Sequence, residues 1–92
     1  MELIPSEKAL LFRLIDGYSR SKHQCFVSEL FLSLDESEYI VCFRPTETHP
    51  PTDRYAHCYI CIKVSEAKRI VKEDALTNNL TERFDSELPT FG

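Results

Sequence analysis

Glycine is scarce in this chain: Gly17 and Gly92 are the only two in 92 residues. A loop that cradles phosphate needs several glycines, so that backbone N–H groups can close around the anion. That class of nucleotide site is excluded. Long apolar runs are also missing, and no stretch approaches the ~18–20 residues of a membrane span. The N-terminus shows no basic region followed by an apolar run and a small-residue cleavage site, so no secretory signal is expected. Repeats and low-complexity tracts are absent. The resulting expectation is a cytoplasmic protein whose four cysteines stay as thiols.

What is present suits one small globular unit. Apolar residues make up 42% of the chain and charged residues 28%, a balance that supports a core and does not suggest disorder. Ile4-Pro5-Ser6 reads as a helix start with Ser6 as cap. Ala9, Leu10, Leu11, Phe12, Leu14, Ile15 and Tyr18 then form a broad apolar face, and Gly17 reads as the stop. Residues 25–34 favour a strand, although Phe26, Leu30 and Ser33 also share helical spacing. Asp35 to Glu38 is a turn, Tyr39 to Arg44 a strand, and the two runs should pair as a hairpin.

Pro45, Pro50 and Pro51 remove backbone donors, so residues 45–54 read as a loop. Tyr55 to Val64 reads as a third strand. Ser65 then caps a second helix with Ala67, Ile70, Val71 and Ala75 or Leu76 inward, fading near Asn78-Asn79. The expected fold is one α+β domain over residues 1–80, in the order α-β-β-β-α. Its antiparallel three-stranded sheet carries the helices on one face. Residues 81–92 read as an acidic C-terminal tail, with Phe84, Leu88 and Phe91 as docking points. One face of so small a sheet stays open, which predicts a homodimer through that face or the tail.

The residues that tempt a chemical assignment do not form a site on paper. Cys58-x-x-Cys61 beside His57, with Cys25, Cys42, His23 and His49 elsewhere, has the composition of a zinc ligand set. In a strand, however, positions three apart point to opposite faces. The same parity separates His57 from Cys58 as base and nucleophile. Glu36/Glu38 and Asp85/Glu87 pair carboxylates at a turn and in the tail, where water keeps them ordinary rather than in a dry cleft. No catalytic residue, metal or cofactor is expected.

Charge is distributed in blocks, within a formal net charge of −4. Residues 35–53 carry five acids against Arg44, and residues 73–92 carry five against Arg83. Between them Lys63, Lys68, Arg69 and Lys72 meet only Glu66. Acidic fields steer basic surfaces toward a protein and keep nucleic acid away. Glu36 and Glu38, if extended, lie ~6.6–6.8 Å apart on one face, close to the phosphate spacing of a DNA strand. The expected function is therefore a non-enzymatic inhibitor or regulator of the DNA-mimic type, occupying the basic surface of a DNA-binding partner. Asp35, Glu36, Glu38, Glu47, Asp53, Glu82, Asp85 and Glu87 are its candidate contact residues.

Three alternatives stand beside it, one of them a fold stabilised by zinc on the Cys and His set. The order helix, three strands, helix is similar to that of double-stranded RNA-binding domains, in which a basic helix start contacts phosphates. Lys63, Lys68, Arg69 and Lys72 would do so here. The likeness is of topology and not of motif, since Glu66 intrudes and the glycine- and histidine-bearing loop is lacking. The third alternative is a neutral adaptor that docks through its exposed sheet face or tail.

Overall fold

The computed structural model describes residues 2–45 and 58–88. Three helices and one antiparallel sheet follow in the order α1 (Pro5–His23), β1 (Cys25–Leu32), β2 (Glu38–Pro45), β3 (Tyr59–Lys63), α2 (Val64–Glu73) and α3 (Asn78–Glu87). The strand order is β1-β2-β3, so β2 is central and the other two are edges. This is the expected α+β domain with helices packed on the sheet. The expected start of the third strand at Tyr55 and most of the proline loop lie outside the described residues.

Strand alternation creates two unequal faces. Tyr39, Val41 and Phe43 of β2 and Ile60 and Ile62 of β3 point inward and are essentially sealed. They share one core with Leu11 and Ile15 of α1, Ala67 and Ile70 of α2, and Leu80 and Phe84 of α3. Glu38, Ile40, Cys42 and Arg44 of β2 take the opposite parity, as do Tyr59, Cys61 and Lys63 of β3. These side chains form the outer face.

The ambiguous parity of residues 25–34 has a structural answer. A bulge breaks the register between Val27 and Glu29. Cys25 and Val27 point inward before it; Leu30 and Leu32 lie opposite the inward Val41 and Tyr39 after it. One extra residue thus lets a mixed pattern serve a single face. Ser28, at the bulge, donates to the Cys42 carbonyl at 3.2 Å. The Asp16 carboxylate of α1 accepts from the Val27 N–H at 2.9 Å.

Four boundaries differ from the sequence expectation. Ile4, not Ser6, is the cap of α1, with Pro5 in the first turn. The Glu7 carboxylate accepts the Ile4 N–H at 3.1 Å, the half of a capping box that needs no serine. The helix also runs through Gly17 to His23. Leu11, Ile15, Ser19 and His23 form a buried ridge at four-residue spacing, and this burial outweighs the roughly 1 kcal/mol cost of a helical glycine. Lys63, not Ser65, precedes α2 as its cap, and Asp74 ends that helix in the left-handed region at φ 55°.

The fourth difference is the tail: residues 81–87 belong to α3, and only 89–92, including Phe91, lie outside the described residues. The Thr77 hydroxyl accepts from Leu80 N–H at 3.2 Å and starts the helix. Leu80, Phe84 and Leu88 repeat at four-residue spacing and are all buried. Phe84 meets Phe43 edge-on at 5.9 Å between centroids. Phe84 and Leu88 are therefore core residues, not tail docking points.

Candidate functional site

The acidic residues fall into three settings. Asp35 is built into the β1–β2 turn: its Oδ1 accepts from the Ser33 and Ser37 hydroxyls at 2.7 Å each and from Ser37 N–H at 3.1 Å. These donors favour the charged carboxylate and lower its pKa to about 2. The turn is thus a rigid acidic tip, with Leu34 and Glu36 also exposed. Its base is tied to the helical layer, because Val64 N–H of α2 donates to the Ser37 carbonyl at 3.1 Å.

Glu36 has φ 60° and so leaves the extended conformation. The expected Glu36/Glu38 pair on one strand face is not formed. Glu38 begins β2 on the outer face, opposite Lys63 of β3. Glu47 and Asp53 lie outside the described residues.

On α3 the acids divide further. Asp85 turns to α1, where its Oδ1 accepts from Tyr18 Oη at 2.8 Å and meets His23 Nε2 at 3.0 Å. A carboxylate only accepts, so Nε2 carries the proton. The Tyr18 and His23 bonds hold the Asp85 carboxyl below its usual range, while burial and Asp85 push the Tyr18 phenol up. His23 is almost fully buried, and its Nδ1 has no partner among the described residues. These bonds clasp α3 to α1, and no described thiol or hydroxyl bonds the imidazole. Glu87 pairs with Arg83 at 3.1 Å, and Glu82 stays exposed.

The four thiols are divided between the two faces of the sheet. Cys58 packs against the core while Cys61 stands on the outer face, so the Cys-x-x-Cys sulfurs diverge as parity requires. Cys25 is sealed, and loss of solvent raises its pKa to about 11. Burial also raises Cys42, Cys58 and Cys61 above the usual thiol range. Nucleophilic or metal-bound sulfur needs the opposite shift. Among the described residues no three His, Cys, Asp or Glu side chains converge as metal ligands. His49 and His57 lie outside the described residues.

The basic cluster is partly neutralised. Lys63 precedes α2, and Lys68, Arg69 and Lys72 are exposed on the helix. Arg69 pairs with Glu73 at 3.4 Å, and Glu66 accepts from Asn79 at 3.3 Å between them and α3.

One juxtaposition was not visible in the sequence. Burial raises the Cys61 thiol first, and Glu38 of β2 and Glu87 of α3, from different acidic blocks, add to it while Arg83 opposes them. No protein-family model, curated protein or solved structure matches the chain.

Proposed function

We propose that the protein is a non-enzymatic binding protein that occupies the basic, nucleic-acid-binding surface of a partner protein. The carrying observation is the Asp35–Glu36 tip, an exposed acidic turn held by its own hydrogen bonds at the end of the β1–β2 hairpin. The hydrogen bonds around Asp35 fix the tip, so little ordering is lost when a partner docks. The raised thiols and the inward-facing His23 support a role without chemistry. A cytoplasmic setting agrees with four free cysteines.

Among the described candidate acids, Glu36 and Glu82 are exposed and make no side-chain bond, so the variant Glu36→Lys/Glu82→Lys tests the proposal. The immobilised chain should retain basic DNA-binding proteins from a lysate, and release them at moderate salt or with competing DNA. The double variant should release them at lower salt while its circular dichroism is unchanged. Retention that ignores both salt and the substitutions would overturn the proposal. Direct capture of nucleic acid would do the same and point to Lys68 and Lys72.

A further inference from the structure

The three helices cover one side of the sheet, and on the other side the apolar residues of β2 are left in water. Ile40 and Cys42 are half-buried there. Phe31 beside them is 41% exposed, and Tyr59 is 59% exposed. Phe31 and Ile40 are register partners, as are Cys42 and Tyr59, so the four make a continuous patch across all three strands. None of the four belongs to the core or packs against it.

The charges around this patch identify its occupant. Glu29 and Glu38 balance Arg44 and Lys63, so the face is neutral although the whole chain carries −4. Glu38 and Arg44 make no ion pair among the described residues. Along β2 the outward positions read Glu38, Ile40, Cys42, Arg44: acid, apolar, apolar, base. That order is its own complement when reversed. An isologous contact requires that residue i meet j and j meet i.

We propose that the outer face is the interface of a homodimer, with β2 stacked antiparallel on β2 of a second copy. The two-fold axis passes over Val41, perpendicular to the strand. Glu38 of each copy then meets Arg44 of the other, Ile40 meets Cys42, and Tyr59 meets Cys61. Stacking the strands parallel would instead set Glu38 against Glu38 and Arg44 against Arg44. Glu38 and Arg44 each lie about 10 Å from the axis by strand rise, and stacked sheets cross at about 30°. The resulting lateral offset of about 5 Å is within reach of an arginine side chain.

Sedimentation velocity of the full chain, from micromolar to millimolar concentration, tests the proposal. A monomer–dimer equilibrium is expected. Ile40→Asp should abolish the dimer, with circular dichroism confirming the fold. Glu38→Arg or Arg44→Glu alone should weaken the dimer roughly tenfold, since each removes two symmetry-related rim pairs. The double variant Glu38→Arg/Arg44→Glu should restore it to within about threefold of the original, because the exchanged charges again face each other. A monomer at millimolar concentration overturns the proposal. A dimer indifferent to Ile40→Asp, or a double variant as weak as the single ones, overturns it equally.

Discussion

On the inner face of the sheet, Tyr39, Val41 and Phe43 are sealed beneath three helices; one residue along, Ile40 and Cys42 stand half-buried on the outer face. The two sets belong to the same strand and have similar β propensity. They differ in what lies above them. Alternation decides that a strand has two faces, but only the helices decide which face is the core. The inner set therefore carries stability, and the outer set is available for contact with another molecule.

Truncation on each face breaks this comparison most directly. Phe43→Ala removes a sealed ring that packs on Phe84 and should cost about 3–5 kcal/mol in urea unfolding. Ile40→Ala on the outer face should cost the monomer less than about 1 kcal/mol. Equal losses would mean that the outer face is also core.

Next in size is Tyr39→Phe. Leu3 N–H donates to the buried Tyr39 hydroxyl at 2.7 Å, and its loss should cost about 1–2 kcal/mol. The same denaturant series measures it.

Asp85→Asn probes the clasp that closes the helical layer, and its effect should depend on pH. The folded-state pKa of Asp85 is lowered, so its contribution is present above the ordinary carboxylate value near 4 and is lost as pH falls through the lower folded value. The gap in melting temperature between wild type and variant should be full at neutral pH and close below about pH 4. A gap independent of pH would remove the charged carboxylate from the account.

The smallest expected change is a gain. Gly17 is exposed in mid-helix, and an added Cβ would meet nothing within 4 Å. Gly17→Ala should stabilise the protein by about 0.5–1 kcal/mol.

Much of this architecture was legible in the residues. The β-branched and aromatic run at 39–44 and the helical apolar spacing at 9–18 led to correct elements, because each carries its own period. The signal for α3 was also present, as Thr77 followed by Leu80, Phe84 and Leu88 at four-residue spacing. Its acidic, polar composition concealed it. The candidate site was less legible. Asp85 and Glu87 look like free surface acids in the chain, yet the fold gives the first to Tyr18 and His23 and the second to Arg83.

The sequence by itself determined that three strands and flanking helices form, and which strand residues share a parity. Local propensity and periodicity act over a few residues and leave a trace in their order. Only the tertiary structure decided that a bulge at Ser28 turns Leu30 inward, that α1 passes Gly17, and that Asp85 meets Tyr18 and His23. Those outcomes join residues far apart in the chain through burial and charge, and such pairings have no local pattern from which to be read.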